Sequence, residues 1–231
     1  MRNIPRVDLS EFVNGDAKQK QAFVEKLGKA YEDVGFVSVV NHGISDETIE
    51  VLYDQVKTFF SLPKTAKKKC EIEGLAGQRG YTSFGKEHAK GSDAPDLKEF
   101  YQWGQTVQGE ELAKDHYPDN VMVQDLPAFN EVIQKAYRSF EESGKYLLQA
   151  IAIYLGLDED YFDQKIHNGN SILRAIHYPP ITEEPKDAIR AEQHEDINLI
   201  TLLVGASADG LELLNKENVW LPINAGPGEI V

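Results

Sequence analysis

Beyond residue 170 the chain breaks into short apolar and β-branched segments divided by turn residues: SILRAIHYPP, INLITLLV, GLELL, VWLPI and GEIV. Consecutive strands this short, with no helical periodicity between them, form a barrel or a sandwich. The first half follows a different period. IPRVDL, 4–9, reads as a short strand, and Phe23, Leu27, Ala30, Tyr31 and Val34 then recur at helical spacing up to a stop near Gly35. FVSVV, 36–40, predicts a buried strand and NHGI a turn. Ser45 can cap a second helix carrying Ile49, Leu52, Val56, Phe59 and Phe60. The spacing predicts the longest helix over 126–157, closed by Gly156. Helices with a few strands first, and strands in succession afterwards, give the α+β class.

Between these blocks, residues 74–95 are rich in Gly, Ser and charge, the composition of a functional or mobile loop. The last segment reaches Val231 in the middle of an apolar run, so the expectation is a core strand that stops unfinished.

Charge narrows the partners. With 24 basic and 38 acidic side chains the net charge is −14, which disfavours nucleic acid and anionic membranes, since both need clustered Lys and Arg. Lys64, Lys67, Lys68 and Lys69 read as the solvated face of a short helix. A single cysteine, Cys70, allows no intrachain disulfide and fits a reducing compartment. MRNIPRVDLS has no apolar signal region, and no apolar run approaches the ~20 residues of a membrane span. The expected location is the cytoplasm.

RAEQHEDINLITLLV, 190–204, sets His194 and Asp196 two residues apart at the mouth of a predicted strand. Alternation turns both side chains to one face, where an imidazole and a carboxylate could be neighbouring ligands of a first-row divalent ion. The competing reading is a polar entrance to a buried strand. His-x-Asp alone leaves both open.

The wider sequence resembles the isopenicillin N synthase-like family of Fe(II)/2-oxoglutarate-dependent oxygenases. IPRVDLS and GFVSVVNHGI are similar to its opening segments, and GQRGYTSFGKEHAKG with PDLKEFYQWG to the mid-chain region of bacterial members. ILRAIHYPP resembles the first barrel strand; QHEDINLITLLV and DGLELLNKENVWLPINAGPGEIV resemble the metal-bearing half. The resemblance implies a double-stranded β-helix, or jelly-roll, barrel with flanking helices and its last strands missing. It implies an N-terminal region over 1–120, and the long helix with an incomplete barrel over 121–231. His194 and Asp196 would be two of three Fe(II) ligands, with no catalytic residue beyond the metal ligands. Tyr178 would contact the cosubstrate 2-oxoglutarate or the substrate, unless it merely fills the barrel, and Arg174 shares its strand face.

The resemblance further implies oxidation of a small-molecule substrate by O2, with 2-oxoglutarate converted to succinate and CO2. The family's third ligand, a later histidine, and its Arg-x-Ser have no counterpart: no histidine follows His194 and no arginine follows Arg190. Both are expected beyond Val231. Two alternatives stand beside this reading: an Fe(II)/O2 oxidase that uses no 2-oxoglutarate, and a non-catalytic binding protein. Of the other histidines, His42 is expected to be structural, His177 to pack on the opposite strand face, and His88, His116 and His167 to be solvated. Trp103 and Trp220 are expected in the core.

Overall fold

The computed structural model describes residues 4–75, 77–87, 96–107, 117–182, 190–191, 193–205, 210–223 and 225–231. The chain divides into two compact units that interleave along the sequence. The first comprises Met1–Asp46, Ser139–His167 and Asn198–Val231; the second comprises Glu47–Arg138 and Asn168–Ile197. The contiguous regions 1–120 and 121–231 of the sequence reading thus each contribute to both units.

In the first unit, β1 (Arg6–Asp8) pairs in parallel with β2 (Ser38–Val40), Val7 opposite Val39. On the other side of β2, Val39 and Ile230 exchange backbone hydrogen bonds of 2.8 and 3.0 Å. Val231 and Leu203 exchange another pair at 2.7 and 2.9 Å. Residue 230, 1% exposed, therefore lies between two neighbours rather than at an edge. A short helix, α1 (Leu9–Val13), follows β1 with Asp8 as its cap, an element absent from the sequence reading. Helix α2 (Ala17–Asp33) begins at a capping box of Asp16 and Gln19 and buries Phe23, Val24 and Leu27. It stops where expected, at Gly35, whose φ of 82° suits glycine. Gly28 permits close approach of Tyr154, because a Cβ there would lie 2.2 Å from that ring.

Helix α5 (Pro127–Tyr154) realises the long periodic stretch, and Leu157 N–H closes it on the Ala152 carbonyl at 2.9 Å. It runs through both units, and its second half places Leu147 and Ala150 in the first unit's core. Helix α6 (Asp163–Ile166) follows, with His167 exposed at its end.

INLITLLV departs from its predicted strand. Only Val204 forms a bridge, while Ile200, Leu202 and Val204 pack alternately on the core and Ile197 and Leu199 lie exposed. The side-chain period of a strand is present, but ladder partners exist only at its far end. The hairpin of β6 (Glu212–Leu214) and β7 (Trp220–Pro222) buries Leu213 and leaves Trp220 46% exposed, so Trp220 is not a core residue. Two strands alone cover one face at most.

The second unit is built on an antiparallel sheet, β3 (Gly80–Thr82), β4 (Glu99–Gly104) and β5 (Ile172–His177), in that order. β3 lies inside the stretch 74–95, expected to be irregular, and β4 is a strand where none is predicted. One face of this sheet presents Tyr101 and Trp103 to Phe59 and Phe60 of α3 (Asp46–Phe60) and to Phe129 and Ile133 of α5. Phe59 stacks on Phe129 at 5.1 Å and meets Tyr101 edge-on at 4.9 Å. Burying rings of this size stabilises by ~1.5–3 kcal/mol each. Trp103 is core, as expected.

Helix α4 (Lys64–Lys68) corrects the reading of the lysine patch. Lys67 is not solvated; it is 7% exposed, and its ammonium donates to Glu99 at 2.7 and 2.9 Å. A carboxylate on an otherwise apolar sheet face requires a counter-ion, and Lys67 supplies it.

Candidate functional site

Strand alternation sorts β5 into two faces, and the two carry different chemistry. Leu173 and Ala175 join the aromatic core, and His177 points the same way, stacked on Phe60 at 5.1 Å. Its Nδ1–H donates to Glu99 Oε1 at 2.8 Å. Glu99 also accepts from Lys67 and from the Tyr81 hydroxyl. Burial would raise the Glu99 carboxyl, but the bonds from Lys67, Tyr81 and His177 outweigh it and hold the group below its ordinary range. Burial and the Glu99 charge push the Tyr81 phenol up, so it stays a donor. His177 is a packing residue, as the alternation implies.

The opposite face shows Ile172, Arg174 and Ile176, with Tyr178 just past the strand, 36% exposed. Arg174 lies over the Phe100 ring, 4.4 Å from its centre, and pairs with Glu87 at 3.1 Å. With the Gln102 amide oriented to satisfy its neighbours, its oxygen accepts from Arg174 Nε and Nη2 at 2.8 and 2.7 Å. Glu87 also meets Lys98, which in turn meets Asp96, both at 2.7 Å. Burial raises the Tyr178 phenol, and the charges of Lys98, Asp96, Glu87 and Arg174 all reach it. Tyr178 and Arg174 thus share a face, as expected, beside a line of charges that the sequence reading missed. The spacing of Asp96 and Lys98 offered one signal, both side chains pointing to one side.

His194 and Asp196 precede the first unit's segment 198–205 and are placed together: Nε2 and Oδ1 lie 3.7 Å apart, with side chains 58% and 50% exposed. Ligands cis on an ion at ~2.1 Å are about 3 Å apart, so a small rotation of either side chain suffices. An imidazole nitrogen with a carboxylate oxygen suits Fe(II). Among the described residues no group of three or more His, Cys, Asp or Glu could hold a metal ion. His42 fills a structural role in the N-H-G-I turn: it is 4% exposed, and its Nδ1 accepts from Ile44 N–H at 3.2 Å. Burial keeps it below its ordinary pKa. His88 and His116 lie outside the described residues.

Comparison with known proteins identifies the class. The sequence model described as the N-terminal region of the non-haem dioxygenase in morphine synthesis matches residues 4–125. The 2-oxoglutarate-Fe(II) type oxidoreductase ppzD of Metarhizium rileyi is 32% identical, over 97% of this chain and 67% of its own. The 2-oxoglutarate-dependent dioxygenase frbA of Dothideomycetidae sp. is 32% identical, over 96% of this chain and 69% of its own. Among solved structures, a 2OG-Fe(II) oxygenase family protein from Caulobacter crescentus has a TM-score of 0.85 and 39% identity, covering 98% of this chain and 72% of that one. A full-length Neurospora crassa protein solved in complex with alpha-KG follows at 0.84 and 26%, covering 98% and 71%.

The chain belongs to the Fe(II)/2-oxoglutarate-dependent oxygenases of the isopenicillin N synthase-like type. It is accordingly an oxidoreductase of the dioxygenase kind, with iron and 2-oxoglutarate as its cofactor and cosubstrate. Among the described residues no helix is long and apolar enough to cross a membrane.

Proposed function

We propose that His194 and Asp196 are two of the protein ligands to Fe(II), and that Tyr178 lies at the cosubstrate or substrate mouth of the same site. The fold that would bring them together is a jelly-roll barrel with β5 among its strands. Bound Fe(II), with 2-oxoglutarate and O2, supplies oxidation of a substrate C–H bond coupled to decarboxylation of the cosubstrate to succinate. The chain's own residues bind and orient. His194 and Asp196 would hold the ion, Tyr178 offers a hydroxyl that remains protonated, and Ile172 and Ile176 place apolar surface beside it. The prime substrate is a small molecule; relatives are described in complex with thymine or with JA.

The observation that carries this reading is the 3.7 Å approach of His194 to Asp196 in a chain of this family. Titration of Fe(II) or Mn(II) under anaerobic conditions tests it. The unaltered chain should bind the ion, and His194→Ala and Asp196→Ala should each lose binding. Undiminished metal binding in both variants would dismiss the pair.

A further inference from the structure

The charges beside Tyr178 alternate in sign: Asp96 with Lys98, Lys98 with Glu87, and Glu87 with Arg174. Two carboxylates and two cations sum to zero. The pairing is uneven, however. Lys98 holds two carboxylates at 2.7 Å, whereas Glu87 is the one carboxylate paired with Arg174 among the described residues. Burial would lower the Lys98 ammonium, but Asp96 and Glu87 together raise it, so it remains charged.

Arg174 is held firmly yet not enclosed. Phe100 supports its plane, and the Gln102 amide fixes Nε and Nη2. Of five N–H donors, these contacts and Glu87 use three among the described residues, one on each nitrogen. Two remain on a guanidinium that is 38% exposed. Without Glu87, such a group would attract carboxylates and phosphates. With Glu87 it offers donors and no net charge.

We propose that Glu87 is a specificity-determining residue: by cancelling the charge of Arg174 on the face shared with Tyr178, it makes the mouth accept an uncharged, hydrogen-bond-accepting substrate and reject an anionic one. The inference rests on the reading that this face lines the substrate mouth. Removing the Glu87 charge takes from Arg174 its one paired carboxylate among the described residues, whereas Lys98 loses one of two and keeps Asp96.

Benzamide and benzoate, a neutral and an anionic probe of the same shape, test this on the full chain by ligand-observed NMR. Glu87→Gln should bind benzoate about tenfold more tightly than the unaltered chain, roughly the value of one charge-assisted contact. Benzamide should change by less than about twofold, which also reports that the variant is folded. The double variant Glu87→Gln/Arg174→Gln should return benzoate to the unaltered level. No gain for benzoate in Glu87→Gln, or a gain that persists in the double variant, overturns the proposal. Mn(II) separates it from the reading beneath it. Broadening of the benzoate signal by Mn(II), abolished in Asp196→Ala, supports both; a benzoate gain without such broadening overturns the shared mouth while leaving the charge cancellation standing.

Discussion

Among the described residues, two histidine–carboxylate pairs occupy the second unit, and they are built for opposite ends. His177 meets Glu99 at 2.8 Å, with the carboxylate 8% exposed and further occupied by Lys67 and Tyr81. His194 meets Asp196 at 3.7 Å with both side chains at least half exposed. The first pair has its oxygens committed, and a metal would have to displace an ammonium and a phenol to reach them. The second presents its nitrogen and oxygen where an ion from solvent can reach them. A histidine beside a carboxylate is therefore read by how deeply the carboxylate is buried, more than by the pair itself.

The largest expected effect breaks the closed pair. Lys67→Met leaves Glu99 buried without its ammonium, and a buried pair that loses one partner destabilises by about 3–5 kcal/mol. Urea denaturation of Lys67→Met should show a correspondingly lower midpoint with an unchanged slope. A change below about 1 kcal/mol would mean that His177 and Tyr81 suffice to hold the carboxylate.

Acid should act on the closed pair next. The Glu99 carboxyl is held below its ordinary value of 4.5 in the folded chain. A depressed carboxyl contributes stability that is complete above 4.5 and is lost as pH falls through the lower folded value. The stability difference between the unaltered chain and Glu99→Gln should therefore shrink on acidification below about pH 4.5. A difference constant from pH 7 to pH 3 would remove Glu99 from the acid response. His177→Leu should cost less, about 1–2 kcal/mol: the Glu99 bond is lost while apolar packing on Phe60 is retained.

What the sequence made legible follows the same division. Periodicity located α2 and α5, and alternation placed Arg174 with Tyr178 and His177 on the opposite side, because those signals are local. The pairing of Lys67 with Glu99 spans 32 positions and leaves no periodic trace, so the lysine patch read as solvated. Ile200, Leu202 and Val204 alternate as a strand does, yet ladder partners are set by distant residues such as Ile230. Trp220 read as core from its size alone, although a hairpin buries only what another layer covers. His194 and Asp196 were visible because two residues of separation suffice to make them neighbours.

The smallest effect on stability should come from the open pair, and it sharpens the comparison most. Without metal, His194→Ala and Asp196→Ala remove exposed side chains that support no core, so each should change stability by less than about 0.5 kcal/mol. With metal present the outcome differs. An ion that binds only the folded chain stabilises it by RT ln(1 + [M]/Kd), about 2.7 kcal/mol at one hundred times Kd. Thermal melts with increasing Mn(II) should thus rise for the unaltered chain and for His177→Leu, and stay flat for His194→Ala and Asp196→Ala. The two pairs would then separate completely: one variant loses stability and keeps the metal response, the others keep stability and lose the response. A metal response that disappears in His177→Leu and survives in His194→Ala would reverse the assignment and make the buried pair the ligand.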